Sequence, residues 1–141
     1  MNPKDQIAAT KLPLERWPST ATAVGCVAFL EGKLKYGRMN WRAQPVYGSV
    51  YFGAMLRHIS LWFEGEDFDP ESLVPHLGSA LACGAILVDA GASGTLIDDR
   101  QYGLSQGYRD LVKSLLPVIE HLQKLHAERS PTHYSRAMEK P

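Results

Sequence analysis

The sequence predicts an all-α fold, a single-domain bundle of about four helices. Apolar residues recur at helical intervals in four segments, and no segment shows sustained alternation of apolar and polar residues, an internal repeat or low complexity. The 141 residues, 45% of them hydrophobic, suffice for one domain with a core and are too few for two. We expect an N-terminal arm over 1–16, a helical domain over 17–128 and a flexible tail over 129–141.

The first and second helices follow from capping and stop signals. Ser19 or the following threonine can cap a helix whose apolar positions continue to about residue 34. A second helix is predicted over about 49–64, and Gly65 is a typical C-terminal stop. Between them lies a loop that is rich in basic and aromatic residues.

The third and fourth helices are predicted in the same way. Asp69 before Pro70 reads as a helix start, with Pro75 tolerated near the first turn and the helix continuing to about residue 90. This assignment places His76 one to two turns into the third helix. A last apolar stripe over about 108–128 predicts a fourth helix, with a kink at Pro117.

Charge and cysteine content exclude several classes of protein. Lys plus Arg and Asp plus Glu both number 15, so the formal net charge is zero and no overall basic field exists to attract nucleic acid or an anionic membrane. No apolar run approaches the roughly 20 residues of a membrane-spanning helix. Cys26 and Cys83 lie in apolar surroundings and are expected to be free thiols. We therefore expect a soluble, cytoplasmic protein that binds neither nucleic acid nor membrane.

The turn between the second and third helices holds the densest chemistry in the chain. Its titratable side chains are Arg57, His58, Glu64, Glu66, Asp67, Asp69, Glu71 and His76. Crowded carboxylates repel one another unless a cation joins them, so this turn is a candidate site for a divalent cation and a phosphate. The structural alternatives are a solvated acidic turn capped by Asp69, a core histidine at position 58 and an unliganded polar residue at position 76.

The loop after the first helix is a second candidate site. Basic and aromatic side chains alternate there, with an asparagine among them: Lys35, Tyr36, Arg38, Asn40, Trp41 and Arg42. Loops of this composition commonly bind ligands, and the alternative is an ordinary solvated loop.

Several named motifs are absent from the sequence. There is no Walker A loop, dinucleotide glycine fingerprint, paired-cysteine zinc spacing, HExxH or Gly-x-Ser-x-Gly elbow. Metal-assisted hydrolysis on a helical scaffold is the enzyme class that remains.

Two runs of residues, in this order, carry a resemblance to a known family. They are Lys-Tyr-Gly-Arg-Met-Asn-Trp-Arg at 35–42 and the hairpin from Arg-His to His-Leu at 57–77, which includes Asp-Pro-Glu-Ser. With the Trp-Pro at 17–18, they make residues 14–89 resemble the phage-encoded dATP/dGTP diphosphohydrolases. Leu73 stands where that family's Asp-Pro-Glu-Ser run continues with Gly, and the Glu-rich metal signature of MazG proteins is absent.

The resemblance implies a MazG-like fold and a specific activity. Such an enzyme would convert dGTP to dGMP and pyrophosphate, and would deplete dATP, in phages that replace adenine with 2-aminoadenine. If the protein is phage-encoded, it would act in the host cytoplasm. Its partner would be a purine deoxynucleoside triphosphate, and we expect a homo-oligomer, either a dimer or a tetramer.

On this interpretation, residue roles can be assigned. Glu66 and Asp69, with His76 or Glu64, would hold Mg²⁺ or Mn²⁺, and the catalytic residues would be Glu66, Asp69 and His76. The substrate would contact Lys35, Tyr36, Arg38, Asn40, Trp41, Arg57 and His58: the cationic groups would neutralise phosphate, while Tyr36, Asn40 and Trp41 would hold the purine.

Two other functions are consistent with the same residues. The first is a nucleotide-binding sponge that sequesters a host signalling nucleotide without turnover. The second is a helical assembly protein whose melting temperature responds to neither nucleotides nor metals.

Overall fold

A computed structural model describes residues 1–138 of the chain. It confirms the all-α prediction, since helices dominate and the only sheet in residues 1–138 has two very short strands. The helices are α1 (Pro3–Ala8), α2 (Ser19–Tyr36), α3 (Asn40–Ala43), α4 (Gly48–Phe63), α5 (His76–Ser93) and α6 (Ser105–Leu125), with short 3₁₀ turns at Leu14–Arg16 and Arg136–Met138. Residues 139–141, the end of the predicted tail, lie outside the described range.

The chain divides into two compact units, Met1–Asp99 and Arg100–Pro141. The first unit contains α1 to α5 and both strands, and the second contains α6. All of the catalytic, metal and substrate residues predicted from sequence therefore lie in the first unit.

In the first unit, α5 packs against both α2 and α4. Small buried residues along α5 allow this close packing: Gly78, Ala80, Ala82, Cys83 and Ala90. The closest approach is at Gly78, where an added Cβ would lie 2.4 Å from the backbone oxygen of Val24 on α2. The small residues of α5 thus form a helix-packing surface.

A small parallel sheet lies beside the C-terminal end of α5. β1 (Val46–Tyr47) pairs with β2 (Leu96–Ile97) in the register Val46 to Leu96. Val46 and Ala90 form a buried cluster with Trp41, and Phe29, Met39, Tyr51, Ile86 and Leu96 pack around it. Strands of two residues are too short to give the period-two pattern on which sequence analysis relies, so they were not predicted.

The predicted bounds of the first two long helices are confirmed to within two residues. Gly65, at φ 100°, forms the C-terminal stop of α4, and the bonds from Glu66 N to Leu61 O and from Gly65 N to Trp62 O complete a Schellman motif. The N-terminus of α4 is capped from far away, because the Asp99 carboxylate accepts from Ser49 N at 2.8 Å and from the Ser49 hydroxyl. A cap that is 50 residues distant leaves no local sequence signal.

The predicted start of the third helix is wrong. The helix begins at His76, with Pro75 as its N-cap, and not at Pro70. A helix from Pro70 would place Pro75 in its interior, where proline lacks the N–H donor and its ring clashes with the preceding turn. The residue before proline is also pushed out of the helical region, so residues 69–74 form a turn instead.

The fourth long helix, α6, runs from Ser105 to Leu125, about three residues earlier at each end than predicted. Pro117 lies inside it, and none of its residues is buried.

By length and composition alone, α5 could cross a membrane. The core helices of soluble proteins satisfy the same criterion, and α5 packs against two other helices. This one helix is weak evidence for a membrane span, and the absence of a membrane partner stays a prediction.

Candidate active site

A carboxylate and two imidazoles form a hydrogen-bonded chain at the junction of α4 and α5. Glu66 Oε1 lies 2.7 Å from His76 Nε2, and His76 Nδ1 lies 3.0 Å from His58 Nδ1. The His76 side chain is 0% exposed, while His58 and Glu66 are half-buried. The turn that we predicted to carry the chemistry therefore brings together three of the predicted residues.

Local backbone structure positions each of the three side chains in this hydrogen-bonded chain. His58 lies five residues before the end of α4, and the Schellman motif at Gly65 reverses the backbone so that Glu66 follows immediately. Pro75 starts α5, which makes His76 its first residue, and His76 N donates to Asp67 O at 3.0 Å. His76 is thus fixed by its backbone as well as by both ring nitrogens.

The segment between Glu66 and His76 is a tight turn closed by Asp69. Asp69 Oδ1 accepts from Glu71 N at 3.0 Å and from Ser72 N at 2.8 Å. These backbone donors, that of Ser72 first, lower the pKa of Asp69 below its usual range. Leu73 has φ 63°, a left-handed conformation that favours glycine, and glycine is the residue that the family resemblance implies there.

The surroundings of His58 favour its neutral form. Burial lowers the pKa of His58 below its ordinary value of 6.5, and the neighbouring His76 and Arg57 lower it further. The carboxylates of Asp69 and Glu31 act in the opposite direction, and these smaller effects do not reverse the shift.

The chain of hydrogen bonds defines where a proton can enter. When Glu66 is ionised it can only accept, and His76 Nε2 then carries the hydrogen and donates to it. A single hydrogen fits between the two Nδ1 atoms, and when His58 supplies it, His58 Nε2 has a free lone pair. A proton taken up at His58 Nε2 lets the shared hydrogen move to His76, whose positive charge then faces Glu66. The arrangement can act as a general base.

Glu31 on α2 is part of this neighbourhood and was missed from the sequence. The negative charge of its carboxylate opposes the lowering of the His58 pKa. Glu31 Oε1 lies 2.7 Å from Lys35 Nζ, and this ion pair raises the pKa of Lys35. The negative charge of Glu71, in the turn before α5, also raises the pKa of Lys35. Glu31 is the only acidic residue of α2, whose other charged side chains are Lys33 and Lys35, and its relation to His58 leaves no local sequence signal.

The 35–42 segment does not form the loop that we predicted. Lys35 and Tyr36 end α2, Gly37 and Met39 take positive φ, and Asn40 begins α3. Trp41 is 9% exposed and packs on Phe29, with ring centroids 5.3 Å apart.

Asp89 on α5 holds this segment in place. Trp41 Nε1 donates to Asp89 Oδ2 at 2.6 Å, and Arg42 donates to both carboxylate oxygens. These donors, that of Arg42 first, lower the pKa of Asp89 to about 2. Thr95 adds a hydrogen bond to the Trp41 carbonyl oxygen at 2.6 Å.

The remaining predicted substrate residues lie in two places. Arg57 is an exposed residue of α4. Its positive charge lowers the pKa of His58, which places it near the histidine pair. Arg38 is exposed and lines a cavity of about 530 Å³ together with Lys33, Phe29 and Trp41. Asn40 is half-buried and Tyr36 is exposed.

The four predicted metal ligands do not gather around one point. Within residues 1–138, no group of three or more His, Cys, Asp or Glu side chains could hold a metal ion. One Glu66 oxygen is bonded to His76, Asp69 Oδ1 is used by the turn, and Glu64 is the exposed C-cap of α4. The donors of one chain therefore do not fit a complete Mg²⁺ or Mn²⁺ site.

Comparisons with known proteins identify a family for the first 100 residues. No curated protein and no solved structure matches the chain. The family model for the N-terminal domain of dATP/dGTP diphosphohydrolases matches residues 1–100, which include the whole Glu66–His76–His58 chain and the Trp41–Asp89 contact. The family's name implies a hydrolase, and the match covers well over half of the 141 residues. The chain therefore belongs to the dATP/dGTP diphosphohydrolase N-terminal domain family.

Proposed function

We propose that this protein hydrolyses dGTP and dATP to the monophosphate and pyrophosphate, with the Glu66–His76–His58 chain as its general base. The observation that carries the proposal is the fully buried His76, which is hydrogen-bonded on one side to a carboxylate and on the other to a second imidazole. A purely structural histidine needs no such partner chain, and the chain ends at His58, whose pKa is lowered by burial, a property that concentrates at functional sites.

In the proposed step, a water oxygen attacks the α-phosphorus of the nucleotide. The new bond is between water oxygen and phosphorus, and the bond from that phosphorus to the α,β-bridging oxygen breaks. The water proton goes to His58 Nε2, the hydrogen between the two rings moves to His76, and Glu66 stabilises the resulting cation. Pyrophosphate leaves with the bridging oxygen.

Cations around the histidine pair would bind the triphosphate. Lys35 is paired with Glu31, and the charge of Arg57 lowers the pKa of His58, so both cations lie near the site. Arg38 would add a third cation for the phosphates. Tyr36 and Asn40 remain candidates for purine contacts. Because Trp41 is buried, we assign it the role of holding Asn40 in place and not that of stacking on the base.

A divalent cation remains part of the proposal. Mg²⁺ commonly binds through one or two carboxylates, several waters and substrate phosphates, and it does not need an all-protein cage. Glu66 and Asp69 each retain an oxygen outside the hydrogen bonds described above, and Glu64 is exposed nearby in sequence. Mg²⁺ or Mn²⁺ would therefore be held jointly by these carboxylates and the triphosphate.

The reaction is tested by ³¹P nuclear magnetic resonance of dGTP incubated with the protein, with Mg²⁺ or with EDTA. The proposal predicts signals of dGMP and pyrophosphate in the Mg²⁺ sample. Orthophosphate with dGDP would contradict the proposed bond cleavage. Turnover that is equal in EDTA would remove the metal ion from the proposal.

One observation favours the alternative of a nucleotide-binding sponge. Residues 1–138 lack a ready group of three metal-ligating side chains, as expected of a protein that binds nucleotides without hydrolysing them. In the same samples, this alternative predicts dGTP signals that are shifted by binding and remain unhydrolysed.

A further inference from the structure

Helix α6 presents an apolar face along its whole length. None of its residues is buried, although it contains a dense set of large apolar side chains. The family match ends at residue 100, so α6 lies outside the segment that defines the family. An isolated helix of this kind depends on packing for most of its stability, because helix propensity alone is weak.

The apolar residues of α6 follow a seven-residue repeat. With a and d as the core positions of a heptad, the a positions are Tyr108, Leu115 and Leu122, and the d positions are Leu111, Val118 and Leu125. The spacing alternates between three and four residues across the helix. This is the pattern of a helix that packs lengthwise on another helix with the same period.

The flanks of this stripe make it compatible with a copy of itself. Val112 and Ile119 occupy e positions and widen the apolar face. The g positions are Gly107, Ser114 and His121, so neither flank carries Lys, Arg, Asp or Glu. Two identical faces can therefore meet without juxtaposing like charges, which would oppose pairing.

All five charged side chains of α6 lie on the opposite side. Arg109, Asp110, Lys113, Glu120 and Lys124 occupy b, c and f positions, which face away from the seam of a helix pair. Pro117 also occupies a c position, so its missing hydrogen bond and any bend lie on that outer side.

We propose that α6 is a self-association surface, and that its occupant is α6 of a second copy of this chain. Identical helices share length, period and register, as a two-fold symmetric contact requires. At 1.5 Å per residue the seam is about 32 Å long, which spans three heptads. The wide a, d and e face suits a bundle of two or more such helices.

The test compares two neighbouring leucines that are exposed to nearly the same extent, Leu115 at 46% and Leu116 at 50%. Leu115 is central to the stripe, and Leu116 lies about 100° around the helix from it. Sedimentation velocity of the full chain should give at least twice the 15.6 kDa chain mass for the wild type and for Leu116→Glu. Leu115→Glu should sediment as a single chain.

A second seam variant guards against a local folding defect. Leu122→Glu lies one heptad further along and should also dissociate the assembly, with an unchanged melting temperature for the first unit. A wild-type mass of one chain would overturn the proposal. Retention of the assembly by both Leu115→Glu and Leu122→Glu would do so as well, because association would then use another surface.

Discussion

Arg42 binds Asp89 through two parallel hydrogen bonds, from Nε to Oδ2 at 2.7 Å and from Nη2 to Oδ1 at 2.8 Å. Trp41 donates to the same carboxylate, so two consecutive residues of α3 are tied to a residue of α5 that lies 48 and 47 positions further along the chain. Charge-assisted, bidentate contacts of this kind fix orientation as well as distance. The pair therefore determines where Asn40, the preceding residue, is held relative to α5.

Acid should destabilise the protein through Asp89. Its pKa in the folded protein is about 2, below its ordinary value of 3.8, so it contributes stability above pH 4 that is lost as pH falls towards 2. Asp69 and Asp99 have lowered pKa values and add to the same trend.

The prediction is checked by melting temperatures measured from pH 7 to pH 2. Asp89→Asn should melt lower than wild type at pH 7 and lose less stability on acidification, so that the two curves converge. Asp5→Asn, an exposed carboxylate of α1, should follow the wild-type curve. Parallel curves for wild type and Asp89→Asn would contradict the assignment.

The glycines of α5 should respond oppositely to a methyl group. In Gly78→Ala, the new Cβ would lie 2.4 Å from a backbone oxygen of α2, and overpacking of this kind costs about 2 kcal/mol. In Gly84→Ala, the nearest atom is the Met55 methyl at 3.6 Å, so the higher helix propensity of alanine should stabilise by about 1 kcal/mol. Urea unfolding of both variants measures the difference, and equal effects would show that α2 and α5 do not pack this closely.

Leu73→Gly should stabilise the turn before α5. A leucine at φ 63° pays a steric cost that glycine avoids, and the gain exceeds the entropy that glycine adds to the unfolded chain. We expect an increase of about 0.5 to 1 kcal/mol in the free energy of unfolding. Leu73→Val, with a branched Cβ, should change stability in the other direction. A loss of stability in the glycine variant would rule out the left-handed conformation.

The pH dependence of dGTP hydrolysis should report His58. Because its pKa lies below 6.5, the neutral base persists into mildly acidic solution, and kcat/KM should fall only as pH drops through that lower value. Arg57→Gln removes one of the charges that lower this pKa, so it should move the acidic limb of the profile to higher pH. An acidic limb at or above pH 6.5 in the wild type would argue against His58 as the base.

The sequence was sufficient for most of the long helices and for grouping His58, Glu66 and His76 at one turn. Stop and cap signals such as Gly65 are local, and helical periodicity defined the ends of the long helices within about three residues, except for the start of the third. The helix start at Asp69 was wrong because that residue caps a turn with the same side-chain chemistry that caps a helix. Pro75, a stronger constraint than Asp69, was given too little weight.

The partners of individual side chains could not be read from the sequence. Trp41 resembled an exposed base-stacking residue because nothing near it in sequence indicates Asp89, its hydrogen-bond acceptor on α5. Glu31 was missed for the converse reason, since its neighbours on α2 are unremarkable and its relation to His58 arises from packing between helices. The pairing of His58 with His76 likewise depends on the reversal at Gly65.

The central claim is that Glu66 supports His58 as the base through His76, and the kcat of Glu66→Gln with dGTP tests it most directly. Glutamine keeps the acceptor oxygen and the shape but not the charge, so we expect a loss of about 100-fold or more in kcat with an unchanged circular dichroism spectrum. Glu15→Gln, an exposed carboxylate in the 3₁₀ turn before α2, should retain wild-type kcat. Full activity of Glu66→Gln would contradict the account.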